Sequence, residues 1–463
     1  MKPLRKQGII IFSILALVLA ACGGDTTEET TVEETTPEVV ETLDSPAVTT
    51  ASGVESGVGV TSDPCPEAIG GIPTGADQSK GCIYLGMLND YTGPYAAAGP
   101  ALETAQRAFW LWANSAGGVG DYSVAIIEGT DTGYNPQKHL EAYNAQKGDV
   151  AALAMSLGTV QTLFILDEMD KDNMVAAPMS WYSGWSYKSV DKGLVIEFGS
   201  AYCADGMNAV DWALANLPVD IKTIGIMGGA GDYGSDWAAG VKYAAEKNGL
   251  TVAWEYVPPS TEFDVAQAVG LMLTQPVDAY FPAIVPSQMA QVAGGAAQQG
   301  VTPIAMLAAP AFNDAFVQEG FALKGLFESG AIYTMAWVAP YEFNSAAHAT
   351  MRATFASMGI DSASSFLVAG WSSQYHMKGV LEAAIKGGDL TRAGIRRAAA
   401  NVYVESDGMM LTRELGQDRA DKESFINIPD GSIASGVKML ASNYVGPSAE
   451  SYDFTQGPCY ASG

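Results

Sequence analysis

Apolar residues fall in short continuous runs, separated by turns and by longer stretches in which they recur every three to four positions. From Cys82 onward, Ile83–Leu88, Val124–Glu128, Ala151–Leu157, Met174–Ala177 and Val195–Phe198 read as buried strands. Pro100–Ser115, Asn135–Gln146 and Thr159–Lys171 between them read as helices. A second series starts after Ser200, with strands expected at Ile221–Met227, Val252–Val257, Ala279–Ala283 and Ile304–Ala308. Its helices are expected at Ala204–Asn216, Ser235–Asn248, Asp264–Leu273 and Ser287–Gln299. Helical patterns return at Ser345–Met358 and Trp371–Lys386, and short strands at Met409–Leu411 and Val437–Ser442 close the chain. This alternation predicts an α/β fold of right-handed βαβ units around parallel central sheets, and two series predict two lobes. Lobe one is expected over 63–200 and 331–408, and lobe two over 201–330 and 409–463. The crossings between them are expected near Phe198–Ala201, Gly330–Ile332 and Asp407–Leu411.

The N-terminus follows another pattern. Lys2, Arg5 and Lys6 precede the apolar run Gly8 to Ala21, too short to cross a bilayer comfortably but suited to a signal peptide over 1–21. Leu19-Ala20-Ala21-Cys22 resembles a bacterial lipobox, which implies cleavage before Cys22 and acylation of its sulfur. Two or three acyl chains hold a soluble domain stably to a membrane. The expected location is therefore the extracytoplasmic face of the cell membrane, at the extracellular surface or in the periplasm. Gly23 to Ser62 carries nine acids, ten threonines and no Lys or Arg. Such a stretch buries too little apolar surface to fold, so 22–62 reads as a lipid anchor and a disordered acidic tether.

Composition narrows the chemistry. The 463 residues hold 51 Asp+Glu against 24 Lys+Arg, a net charge of -27, which argues against a nucleic-acid partner. Three histidines (His139, His348, His376) stand far apart, and the five cysteines form no C-x-x-C pair. No metal site or cofactor is expected. After Cys22, the cysteines Cys65, Cys82, Cys203 and Cys459 allow three disulfide pairings. Sequence proximity favours Cys65 with Cys82, leaving Cys203 with Cys459 to pin the C-terminal tail.

Gly229-Ala230-Gly231-Asp232-Tyr233-Gly234 is a formal G-x-G-x-x-G between a strand and a helix, with Glu255 near the end of the next strand. That spacing is what a dinucleotide site requires; a tight turn needing glycine freedom is the plainer reading. No G-x-S-x-G, H-E-x-x-H or G-K-[ST] motif occurs, and no catalytic residue is assigned. Open α/β sheets bind ligands at the carboxyl ends of their strands. There the chain places Asn89–Tyr95, the turn Ser156-Leu157-Gly158-Thr159, and the aromatic loop Pro178–Trp185.

In this order of elements the chain resembles the type I periplasmic binding proteins, in the Leu/Ile/Val-binding branch of ABC importers. The resemblance spans Ile83 to Ser442 and rests on Leu88–Tyr95, Ser156–Thr159, Ala177-Pro178 and Asp232-Tyr233-Gly234. It implies two Rossmann-like lobes joined by a multi-crossing hinge. It also implies a ligand site of Tyr95, Ser156, Gly158, Thr159, Met179 and Trp181 from the first lobe, with Asp232 and Tyr233 from the second. One departure stands out. Ala308-Ala309-Pro310-Ala311-Phe312 lacks the glutamate that pairs with a ligand's ammonium in amino-acid-binding members. Either Asp232, Asp205 or Asp314 replaces it, or the ligand has no ammonium.

The expected function is capture of a small polar solute, a branched-chain or other amino acid first, for delivery to an ABC permease by a monomer that catalyses nothing. Urea or amides and aromatic acids are the alternatives within the family. A ligand sensor and an NAD-dependent enzyme using Gly229–Gly234 are the alternatives from other classes.

Overall fold

Two parallel-rich sheets organise the chain. The computed structural model describes residues 48–49, 53–66, 79–229, 231–258, 263–410, 413–416 and 421–461. The expected signal peptide over 1–21 and Cys22 lie outside the described residues. Among those residues no helix is long and apolar enough to cross a membrane.

The first sheet contains β1 (Val60–Thr61), β2 (Gly81–Asn89), β3 (Tyr122–Ile126), β4 (Ala152–Leu157) and β5 (Ala176–Met179). β2 pairs in parallel with β3 and β4, β4 pairs in parallel with β5, and β1 runs antiparallel to β2. β2 to β5 are buried at nearly every position, as parallel strands covered by helices should be. The helices in this half are α1 (Gly99–Ser115), α2 (Pro136–Gln146) and α3 (Thr159–Asp172). α2 starts where Asn135 caps it, accepting the Lys138 N–H at 3.1 Å, with Pro136 at the first helical position.

The second sheet contains β6 (Thr223–Gly228), β7 (Thr251–Tyr256), β8 (Ala279–Ala283), β9 (Ile304–Leu307), β10 (Ile332–Ala336), β11 (Ser424–Pro429) and β12 (Val437–Tyr444). Its order is β7-β6-β8-β9-β10-β11-β12. The first five strands are parallel, and β11 and β12 add an antiparallel edge. Its helices are α4 (Tyr202–Asn216), α5 (Asp232–Lys247), α6 (Val265–Thr274) and α7 (Pro286–Gln298). The chain then returns to the first half through α8 (Ala346–Ser357) and α9 (Ser365–Lys386). α9 packs along α1, with Trp110 Nε1 donating to Gln374 Oε1 at 2.9 Å and Phe109 set edge-on to Trp371.

The structure corrects the expected boundaries in four places. The tether does not run to Ser62: Glu55–Ser56 pairs in parallel with Asp389–Leu390, and β1 joins the first sheet. Ile332–Ala336, expected in lobe one, is a strand of the second sheet, so that crossing follows Ala336. Val195–Phe198 forms only one isolated bridge, Val195 to Ala176. Met409 and Met410 are not in a strand, and Leu411 lies outside the described residues. β11 was not expected at all.

The cysteines pair as Cys65–Cys82 and Cys203–Cys459. The second bridge holds the tail against α4. Tyr182 adds a hydroxyl donated to the Tyr460 carbonyl at 2.7 Å, and Ser183 Oγ accepts the Cys459 N–H at 3.0 Å.

Candidate functional site

The carboxyl ends of both sheets meet at one cavity. From the first half come Tyr95 after β2, Tyr134 before α2, Leu157 at the end of β4, and Met179 and Trp181 from β5 and the loop beyond it. The second half adds Tyr202 at the start of α4, Pro310 after β9 and Trp337 after β10. α1 and α9 supply Leu102, Phe366 and Ala369. Ligand sites at these strand ends follow from the fold.

Each loop is fixed locally. Asp90 accepts the Gly93 and Tyr95 N–H groups at 2.5 and 2.8 Å, and Asn89 Nδ2 donates to the Gly99 carbonyl at 2.9 Å. The loop is thereby folded on its own carboxylate and presents Tyr95. Tyr134 adopts a left-handed φ of 55°, which turns its ring onto Tyr95 with centroids 5.0 Å apart. Trp181 stacks on Trp337 and lies edge-on to Phe198 at 5.1 Å. Neither the Trp181 nor the Trp337 indole Nε1 has a hydrogen-bond partner, although both side chains are buried.

The predicted site residues separate into liners and supports. Tyr95, Met179 and Trp181 line the cavity. Gly158 caps α3 at a φ of 102°, and a Cβ there would stand 2.7 Å from the Tyr134 ring. Tyr233 packs on Tyr202 at 4.7 Å between centroids, with its hydroxyl 3.5 Å from the Ile284 carbonyl. Ser156 does not reach the cavity: its hydroxyl lies 2.9 Å from His139 Nε2 and 2.7 Å from Thr162 Oγ1. Burial holds His139 neutral, its pKa pushed down to about 3. Thr159 is buried at the start of α3 and does not line the cavity either.

Charge at the site is sparse. Asp232, Asp205 and Asp314, the acids considered as ammonium partners, all lie off the cavity wall. Asp232 opens α5, and burial raises its pKa. Asp205 accepts hydrogen bonds from Ser200 and Ser424, and Asp314 is bonded by Ser364. No Asp, Glu, Lys or Arg is among the cavity's described lining residues. Its polar side chains are those of three tyrosines and two tryptophans. Burial raises the pKa of Tyr95, Tyr134 and Tyr202, so each remains a neutral donor. The N-termini of α3, α4 and α5 open beside these side chains, which favours an acceptor or anionic head over a cationic one.

The glycine turn at Gly229–Gly234 is a packing device. A Cβ at Gly231 would collide with Val160 of α3, and one at Gly234 with the Gly229 carbonyl. Glu255 pairs with Lys242 at 2.9 Å. The space a pyrophosphate needs at this helix start is taken by α3. Tyr134, Tyr202, Trp337 and Phe366 were not signalled by sequence. The one available cue was Gly133-Tyr134-Asn135-Pro136, a turn that forces an aromatic out ahead of a helix.

The periplasmic binding protein family model matches residues 82–424. No curated protein matches the chain. Among solved structures it is similar to a fatty acid ABC transporter substrate-binding protein from Thermomonospora curvata, at 24% identity and a TM-score of 0.76, covering 87% of this chain and 97% of that one. It is also similar to a branched chain amino acid ABC transporter from Thermus thermophilus with bound valine, at 12% identity and a TM-score of 0.66, covering 80% and 98%. A solute binding protein of an ABC transporter from R. palustris, in complex with 4-hydroxybenzoate, matches at 13% identity and a TM-score of 0.65, covering 79% and 98%. At these identities the likeness is one of fold.

Proposed function

Since the chain belongs to the periplasmic binding protein family, we propose that it captures a carboxylic acid with an apolar body between its two halves and delivers it to an ABC importer. The observation that carries this reading is the cavity wall: aromatic and aliphatic side chains, neutral donors, and no acid to meet an ammonium. A zwitterionic amino acid would bury its ammonium there unpaired, which is costly. The carboxylate end is better served. Phenol hydroxyls, indole N–H groups and helix N-termini donate to an anion, and the hydrocarbon gains from leaving water. The fatty acid and 4-hydroxybenzoate named for two structural relatives are solutes of this kind. Valine, named for a third, is the competing class.

The mechanism is a hinged closure. Ligand contacts from Tyr95 and Trp181 on one side and Tyr202 on the other favour the closed form only as far as they are better made there. The binder performs no reaction. The lipobox-like Leu19–Cys22 supports anchoring through Cys22 on the outer face of the membrane, with the acidic segment as spacer. A thermal-shift screen of short- and medium-chain carboxylates, aromatic acids, amides and amino acids tests the solute class. Stabilisation by the acids is expected; stabilisation by amino acids alone would reverse the assignment.

A further inference from the structure

A second cavity lies directly behind the first, and nothing in the capture mechanism uses it. The two share Trp337 and Phe366 in their walls, and the neighbours Ala309 and Pro310 face one cavity each. Trp337 and Phe366 are therefore a partition one side chain thick. Beyond it the lining is hydrocarbon: Phe312, Met335, Val338, Val368 and Val437. Four polar side chains interrupt it, those of Thr334, Ser365, Ser435 and Asn427. Asn427, 3% exposed, has no hydrogen-bond partner for Oδ1 and also lines this chamber.

We propose that the rear chamber is a tail subsite: an acyl chain whose carboxylate sits among Tyr95, Tyr134 and Tyr202 passes the Trp337–Phe366 partition and lies against Phe312, Val338 and Val437. The proposal rests on the reading of the front cavity as a carboxylate site. It makes the chain a binder of long-chain acids, and it gives the partition the role of a chain-length filter. Passage requires Trp337 or Phe366 to swing aside, which a ligand favours only as far as its contacts are better in that arrangement.

Octanoate and hexadecanoate, titrated against the purified protein by tryptophan fluorescence below their aggregation limits, are the probes. Hexadecanoate should bind at least about tenfold tighter than octanoate, the gain expected from as few as two further buried methylenes. Ser365, half-buried on the rear chamber's wall and absent from the front cavity's, is the place to fill that chamber. Ser365→Phe should shrink the ratio of the two affinities to about twofold, whereas Ser365→Ala should preserve it. Equal affinities in the unsubstituted protein, or a ratio untouched by Ser365→Phe, overturn the tail subsite and leave the front-cavity reading standing. No binding of either acid overturns both.

Discussion

Trp181 and Trp337 lie face to face, ring centroids 3.3 Å apart and planes within 6° of parallel. One belongs to the loop after the last strand of the first sheet, the other to the segment leaving the second sheet, so the stack joins the halves at the cavity wall. Both indoles are buried, at 4% and 7% exposure. Trp181→Ala should therefore destabilise the protein by about 3–5 kcal/mol as well as weaken binding. Trp181→Phe should recover most of the stability. Urea denaturation of the two variants measures the difference.

The phenols are the polar anchors. Tyr95→Phe and Tyr202→Phe each remove one donor to a carboxylate, and each should weaken acid binding by about tenfold or more. The ring and its packing remain, so melting temperatures should hardly move. Tyr233→Phe is the contrast: its hydroxyl lies near the Ile284 carbonyl rather than on the cavity wall, and its effect on affinity should be small. Calorimetry of the three variants, side by side, reads this order directly.

Gly158 tests how the site is supported. Its φ of 102°, and the 2.7 Å that would separate an added methyl from Tyr134, leave no room for a side chain. Gly158→Ala should cost about 1–3 kcal/mol of stability through the strained backbone. It should also displace Tyr134 and lower acid affinity, although residue 158 itself touches no ligand. A variant that melts and binds as the parent does would show that the turn tolerates a side chain.

Asp205 and Asp236 give the protein an unusual pH response. Burial raises each pKa to about 7, against the opposing hydrogen bonds from Ser200 and Ser424 to Asp205 and from Ser183 to Asp236. Unfolded, such carboxyls titrate near about 4. The native state thus binds protons more tightly through this window, and the stability this contributes is full below the unfolded value and lost as pH rises through about 7. The melting temperature should fall from pH 5 to pH 8 more steeply in the parent than in the double variant Asp205→Asn, Asp236→Asn. Parallel curves would contradict the assignment.

The sheets were legible because parallel strands covered on both faces read as continuous apolar runs. Ile332–Ala336 escaped because the apolar run continues through Trp337-Val338-Ala339, with no turn signal to end the strand. Ser424–Pro429 escaped because Ser424 and Asn427 break its apolar residues into pieces too short to read as a run, and it ends in proline. At the site, Tyr95, Met179 and Trp181 were readable because they lie at or shortly beyond the carboxyl ends of strands of the sheet. Phe366 and Tyr202 reach the cavity from helices whose placement depends on tertiary packing. Ser156 had the right chemistry in the right turn, but His139 and Thr162 claim its hydroxyl, a partnership that only the folded α2–β4–α3 arrangement reveals.

The charge of the ligand's head separates this account from its main competitor. Isothermal titration of the purified protein with octanoate and, separately, with leucine tests it most directly. Saturable heat with octanoate at micromolar concentrations, and none with leucine, is the predicted result. Tight binding of leucine with no response to octanoate would contradict it.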